Sequence, residues 1–263
     1  MRIAAIGMIP FLILGFMTVH LVKMMRLYLV LLEQKIEFKR FVFAYFQTTL
    51  VNLIIPFKLG EVYRIFTFSR MTKSIQISLF SVIVDRFFDT MALVLILLPF
   101  QMFITGHLSL SAVFLTVFVI VILFIFWVFP SVYGYLNKYI IINRNSRRSL
   151  AVLKSLELLK MGYEYVRHLV SGRYALLLLL SFGAWIMESA VLFGVSRLYN
   201  LPFTTDTFSE YISSILSTNH NTLMQIYIFL SIVMIAVFTI IAFICMSAKK
   251  NSQPDKRITE SKS

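Results

Sequence analysis

Long apolar runs separated by short blocks of Lys and Arg are the dominant feature of this sequence. Hydrophobic residues make up 59% of the 263 positions, and the mean hydropathy is +0.84. These values exceed those of ordinary soluble domains, so the chain is predicted to be an integral membrane protein. Because about twenty helical residues cross the hydrocarbon core of a bilayer, the runs predict an all-α fold.

The expected architecture is a polytopic transmembrane helix bundle of about five to six spans with at least one re-entrant helix. The predicted crossings are Ile3–Val22, Ile75–Ile104, Ser111–Phe129, Tyr174–Tyr199 and Leu223–Ser247. Pro130 is expected to end the third crossing, because proline lacks the backbone N–H that would continue a helix.

The basic blocks indicate how these spans are oriented. The formal net charge is +13, and the positive-inside rule places such blocks in the cytoplasm. Residues 1–247 are then one transmembrane domain with a cytoplasmic basic insert at 138–173, and 248–263 are a disordered cytoplasmic tail. The apolar spacing of Leu150–Leu159 suggests that part of the insert lies on anionic lipid. The location expected is the plasma or inner membrane, and no nucleic-acid partner is expected.

Two stretches between the first and second crossings need separate interpretation. Lys23–Arg40 is mixed and amphipathic, and we expect it at the cytoplasmic surface. Phe41–Phe57 is short for a crossing and includes polar residues. If it crossed, the cations after it would face outside, so a re-entrant helix is favoured. An ordinary short, tilted span is the alternative.

A charged corner follows this stretch. Pro56 and Gly60 predict a tight structural turn that re-enters a helix. Glu61 and Arg64 are three residues apart and therefore share a helix face.

The next crossing carries Asp85, Arg86 and Asp89. On insertion scales, an Asp or Arg at the centre of a span costs about 2.5–3.5 kcal/mol. The three side chains should therefore be paired and face protein or water rather than lipid. In an alternative register, Phe87–Ile104 alone spans, and Asp85 and Arg86 anchor the helix end at the interface.

These charges form a pattern that resembles the signature of the flippase-like membrane family typified by the transmembrane region of lysylphosphatidylglycerol synthase. The matching residues are Pro56, Lys58, Gly60, Glu61, Arg64, Asp85, Arg86 and Asp89. Lys58 stands where the family has Arg, which keeps the charge but replaces a bidentate fork with a point charge. Glu188, three residues after Trp185, falls where the family often has Glu in a later helix. The family's Gly-rich loop, expected near Ser214–Gln225, is replaced by another sequence.

The resemblance implies a protein that translocates a polar-headed lipid between leaflets. The lipid would be an anionic or aminoacylated phospholipid, or a polyprenyl-linked glycan intermediate. The implied head-group site comprises Lys58, Glu61, Arg64, Asp85, Arg86, Asp89 and Glu188. By their chemistry, the cations could hold a phosphate and the carboxylates could neutralise them. The same residues could instead form a structural knot of salt bridges.

Two other functions remain open. A non-transporting partner subunit of a membrane glycosyltransferase or lipid synthase is the main alternative, and an ion-coupled transporter of small solutes is another. No enzyme activity, cofactor or metal is predicted, because the four His residues are scattered and no phosphate loop or nucleophile elbow is present. The family's bifunctional members carry a soluble aminoacyl-transferase domain, which is not expected in this chain.

Overall fold

The computed structural model describes residues 2–55, 59–143, 147–203, 207 and 222–251. Seven α-helices and no β-strand occur in this part of the chain, which confirms the all-α prediction. The helices are α1 (Arg2–Leu31), α2 (Phe38–Ile54), α3 (Leu59–Thr72), α4 (Ile75–Phe100), α5 (Leu110–Asn143), α6 (Arg147–Leu198) and α7 (Thr222–Asn251). A π-helical turn, Gln101–Thr105, extends α4.

Several of these helices are suited to a bilayer. By length and composition, four stretches of the described chain can cross a membrane: Ile9–Gln34, Leu110–Ile142, Ser149–Leu198 and Thr222–Cys245. Helix α4 has 26 residues, about 39 Å, and is also long enough to cross. The prediction of a polytopic helix bundle is therefore confirmed.

Helices α1 and α6 form the centre of the bundle. They run antiparallel, since Gly15 of α1 lies against Val191 and Leu12 lies against Gly194. The largest buried apolar cluster surrounds this contact and includes Leu12, Phe16, Ala92, Leu97, Trp185, Val191, Leu192, Met224 and Tyr227. Residues from α1, α4, α6 and α7 thus share one core.

Helices α2 and α3 form an antiparallel hairpin. The side-chain amide of Gln47 donates to the Tyr63 hydroxyl (2.9 Å), and that of Asn52 donates to Glu61 (3.2 Å). A later residue of α2 thus pairs with an earlier residue of α3, as antiparallel helices require. The other side of α2 packs on α7, where the rings of Phe46 and Phe238 are 5.7 Å apart. The chain thus turns back between α2 and α3, and the re-entrant position of α2 in the membrane stays a prediction.

Gly60 has a different role from the predicted one. It lies in the first turn of α3, within the helix, and is buried. A Cβ at this position would overlap the backbone of Asn52 in α2. Gly60 therefore permits the close approach of two helices rather than forming a turn. Pro56 and Lys58 lie outside the described residues.

A short corner joins α3 to α4. Lys73 adopts a left-handed backbone conformation (φ 57°), which ends α3. Ser74 then caps α4 by accepting a hydrogen bond from the Ile77 N–H (3.3 Å). This corner folds α3 back along α4 and places Glu61 beside Arg86.

Two predicted helix ends are wrong. Helix α1 continues nine residues past Val22, so the first part of the expected surface segment belongs to α1. Pro130 lies inside α5, which runs on to Asn143. Proline removes one backbone hydrogen bond, but the ring of Phe129 packs 5.0 Å from that of Tyr163, and Lys160 lies over Tyr133. These contacts with α6 hold the helix on both sides of Pro130.

The predicted insert at 138–173 therefore consists of the end of α5 and the first half of α6. Helix α7 reaches Asn251, and residues 252–263 of the predicted tail lie outside the described residues. The location of both segments relative to the membrane stays a prediction.

Because α1 and α6 are in close contact, adding one methyl group at Gly15 should destabilise the protein. A Cβ on Gly15 would lie 2.6 Å from Cγ2 of Val191, whose branched side chain has little freedom to move. Gly15→Ala should lower the free energy of unfolding by about 1–3 kcal/mol. Thermal unfolding in detergent measures this effect.

Gly183→Ala is the matched control, because a Cβ there meets no atom within 4 Å. It should leave stability unchanged or raise it slightly through better helix propensity. Equal melting temperatures for the two variants would contradict the proposed packing of α1 on α6.

Candidate functional site

The charges of α4 lie at the middle of that helix. Asp85 and Asp89 are the eleventh and fifteenth of its 26 residues, so each lies about 16 Å from the nearer helix end. They share one face because they are four residues apart. Asp85 is buried, and only 15% of the Asp89 side chain is exposed. These two acids therefore face the protein, one of the two environments, protein or water, predicted for them.

Arg26 of α1 binds both carboxylates. Its Nε donates to Oδ1 of Asp85 (2.7 Å), and its Nη1 donates to Oδ1 of Asp89 (2.5 Å). Nη1 also donates to the hydroxyl of Ser181 in α6 (3.0 Å). Arg26 is only 1% exposed. A buried ion triad therefore joins α1 to α4 and contacts α6.

Arg64 anchors the α2–α3 hairpin to the same region. It is buried, and its Nη1 lies 3.3 Å from Oε2 of Glu61, one turn earlier in α3. Its other N–H groups donate to the hydroxyls of Thr48 (3.4 Å) and Thr49 (3.1 Å) in α2. The guanidinium lies over the ring of Tyr45 at 5.9 Å.

Arg86 connects the hairpin to the triad. Its Nε lies 3.1 Å from Oε1 of Glu61, although that N–H lacks hydrogen-bond geometry. Its terminal nitrogens are 3.7 Å from Asp85 and 3.8 Å from Asp89, too far for hydrogen bonds. Its side chain is 41% exposed, against 2% for Arg26. Arg86 is thus the loosely held, accessible cation of the cluster.

Glu188 lies in a second part of the cluster, on α6. Its Oε2 is 2.5 Å from Nζ of Lys23, and its Oε1 accepts a hydrogen bond from the Tyr227 hydroxyl (3.2 Å). Trp185 links this part to α4, because its Nε1 donates to the backbone carbonyl of Asp89 (3.1 Å) while Lys23 lies over its ring.

The charged network therefore brings together six of the seven predicted head-group residues; Lys58 is outside the described part of the chain. Its members are Lys23, Arg26, Glu61, Arg64, Asp85, Arg86, Asp89 and Glu188. These four cations and four carboxylates have a formal net charge of zero. Each of the four cations lies within 4.0 Å of a carboxylate.

The sequence reasoning missed Lys23 and Arg26. Both lie past the predicted end of the first span, where cations are usually read as anchors at the membrane surface. A signal was present, because Met24, Met25 and Leu27 surround Arg26 and continue the apolar helix. Asp85 and Asp89 also outnumber the one cation in their helix segment, Arg86, which called for a second buried cation.

Metal binding gains no support from the described residues, among which no three His, Cys, Asp or Glu side chains form a group that could hold an ion. The cluster is instead suited to hold or exchange a charged group through salt bridges and charge-assisted hydrogen bonds.

Comparison with known proteins relates this site to a family. The family model described as the lysylphosphatidylglycerol synthase TM region matches residues 2–217, a range that contains the whole charged network. A UPF0104 membrane protein of Methanocaldococcus jannaschii is 28% identical over 183 residues, which cover 64% of this chain and 70% of that protein. No solved structure matches the chain.

The buried triad predicts a large stability effect at Arg26. Arg26→Gln leaves Asp85 and Asp89 with only the distant guanidinium of Arg86. Because breaking a buried ion pair leaves an uncompensated charge, the variant should lose about 3–5 kcal/mol of unfolding free energy. Adding Asp85→Asn should restore part of the loss, as measured by denaturant unfolding in detergent.

Arg40→Gln provides the control, since the ion pair of Arg40 with Glu37 is exposed on both sides (73% and 49%). It should change stability by at most about 1 kcal/mol. If Arg26→Gln is no more destabilising than Arg40→Gln, the triad does not hold the bundle together.

Proposed function

Because this chain belongs to the membrane family described by the lysylphosphatidylglycerol synthase TM region, we propose that it moves a polar-headed lipid between the leaflets of the cell membrane. The candidate lipids are an anionic or aminoacylated phospholipid and a polyprenyl-linked glycan intermediate. Each carries a phosphate that must pass the apolar core of the bilayer, where an unpaired charge is costly.

The observation that carries this proposal is the contrast between Arg86 and Arg26. Both guanidiniums face Asp85 and Asp89, but Arg26 binds them at 2.7 and 2.5 Å whereas Arg86 stays at 3.7 and 3.8 Å. Arg86 can therefore leave these carboxylates for a lipid phosphate while Arg26 keeps both of them paired. A bidentate contact with two phosphate oxygens would replace these two weak contacts and the 3.1 Å approach of Arg86 to Glu61, which keeps Arg64 as its partner.

The surroundings of Arg86 are suited to lipid tails. Ile83, one turn earlier on α4, is 46% exposed, and Leu79 on the same face is 38% exposed. On α3, Val62 and Phe66 are 48% and 52% exposed. We infer that the head group enters beside Arg86 between α3 and α4 while the acyl chains remain against these apolar side chains in the bilayer.

Glu61 and Asp89 extend the range of head groups that this site would accept. Both carboxylates are partly exposed, at 17% and 15% of their side chains. An amine in the head group would find a partner there while Arg86 holds the phosphate. The neutral network is thus compatible with anionic and zwitterionic lipids.

A second candidate function rests on the completeness of the network. Each of its four described cations already has a carboxylate within 4.0 Å, as a purely structural salt-bridge knot would. In that case the protein would be a non-transporting partner subunit of a membrane glycosyltransferase or lipid synthase. The half-exposed Arg86 favours the transport proposal over this one.

Lipid exchange in vesicles that contain the purified protein tests the proposal. The wild type should speed leaflet exchange of labelled phosphatidylglycerol or aminoacylated phosphatidylglycerol over empty vesicles. Arg86→Gln should slow the protein-dependent exchange roughly ten- to a hundredfold, since one charge-assisted contact to phosphate is lost. Arg86→Lys should lie between the two.

Arg40→Gln is the control for exchange and should match the wild type, and equal melting temperatures should show that all variants are folded. If Arg86→Gln exchanges lipid at the wild-type rate, Arg86 does not carry the head group. If the wild type moves neither these phospholipids nor a labelled polyprenyl phosphate, the transport proposal is rejected in favour of the partner-subunit function.

A further inference from the structure

The distal hairpin, residues 130–143 of α5 and 147–162 of α6, extends beyond the neighbouring helix α4. Helices α4 and α6 run in the same direction. The hydroxyls of Ser81 and Tyr165 are hydrogen-bonded, and further along both helices the Asp89 carbonyl accepts a hydrogen bond from Trp185. From Gly162, which lies against Phe80, α6 runs back fifteen residues, about 22 Å, to its first residue. Helix α4 has only five residues before Phe80, about 8 Å.

The length of α5 leads to the same conclusion. Its 34 residues span about 51 Å, whereas the hydrocarbon core is about 30 Å thick. The part of α5 after Pro130 therefore reaches the zone of lipid head groups or passes it.

The surface of the distal hairpin is both apolar and basic. Tyr135, Ile141, Ile142 and Leu150 are each at least 60% exposed, which is unfavourable in water. The hairpin sequence contains five cations and one acid. By sequence they are Lys138, Arg147, Arg148, Lys154 and Lys160, against Glu157, and the side chains of Lys138 and Lys154 are exposed.

One small hollow combines the side chains that suit a bilayer interface. It has a volume of about 300 Å³ and is lined by Tyr135, Lys138, Tyr139 and Ile142. The two tyrosine rings are stacked, with centroids 6.2 Å apart and an interplanar angle of 14°. Tyrosine favours the head-group level of a membrane, lysine pairs with lipid phosphate, and isoleucine packs among acyl chains.

We propose that the distal hairpin binds the anionic phospholipid head groups of the leaflet beside it. The excess of cations complements an anionic membrane surface, and α5 delivers the hairpin directly from the bilayer core to that surface. The exposed apolar side chains are then covered by lipid rather than water. This surface is separate from the charged network, so the proposal holds whether or not the protein moves lipid.

Acrylamide quenching of a fluorophore at position 139 tests the proposal in nanodiscs, where both membrane faces are accessible. The label is attached to Tyr139→Cys in a Cys245→Ser background, which removes the one native cysteine. Acrylamide is uncharged, so an anionic surface does not repel it. The full-length protein is compared in phosphatidylcholine alone and in equal parts of phosphatidylcholine and phosphatidylglycerol.

The quenching constant should fall severalfold in the anionic nanodiscs. Adding Lys138→Gln and Lys154→Gln should restore quenching, as should high salt, because each surface cation contributes roughly a fivefold change in binding. A label at Tyr199→Cys, at the other end of α6, should not respond to these lysines. Strong quenching that is equal in both lipids overturns the proposal, because the label then lies in water. Weak quenching that is equal in both lipids also overturns it, since a second copy or another protein would then cover the hairpin.

Discussion

The buried pairing of Arg26 with Asp85 and Asp89 is the interaction on which the rest of this bundle depends. Each of these charges alone would cost about 2.5–3.5 kcal/mol at the centre of a span. Arg26 pairs with both carboxylates and joins α1 to α4, Arg86 supplies the second positive charge nearby, and the Arg26 bond to Ser181 reaches α6. Glu61 and Arg86 continue the chain of charges to the α2–α3 hairpin. The helices that carry polar groups are therefore held by those groups, while the apolar face of α5 remains exposed for lipid.

Within the charged network, two arginines hold the helices together and a third is accessible to a ligand. Arg26 and Arg64 are buried and closely bonded, so they fix the helices. Arg86 is partly exposed and lies further from its carboxylates. If Arg86 moved away to bind a phosphate, Asp85 and Asp89 would each keep a hydrogen bond from Arg26. This division is the physical basis for proposing a lipid path at the corner between α3 and α4.

The sequence predicted the local part of this arrangement and missed the long-range part. Helical spacing was enough to place Asp85 and Asp89 on one face and to pair Glu61 with Arg64. Arg26 could not be assigned in this way, because its partners lie about sixty residues away and its position after an apolar run is also typical of a surface anchor. Gly60 was read as a turn because the contact with Asn52 that requires a glycine depends on how two helices pack. Pro130 failed to end α5 for a similar reason, since contacts with α6 stabilise the helix across it.

Photo-crosslinking can show whether Arg86 meets a lipid head group. A phosphatidylglycerol with a photoreactive group beside its phosphate is incorporated with the protein into vesicles, and the crosslinked residues are mapped by mass spectrometry. We expect crosslinks to be concentrated on α3 and α4 around Arg86 and to be lost in Arg86→Gln. Few crosslinks are expected near Trp127, an apolar side chain of α5 that is 76% exposed. Crosslinks that simply follow exposed area, with Trp127 favoured over the Arg86 corner, would show that Arg86 does not bind the head group.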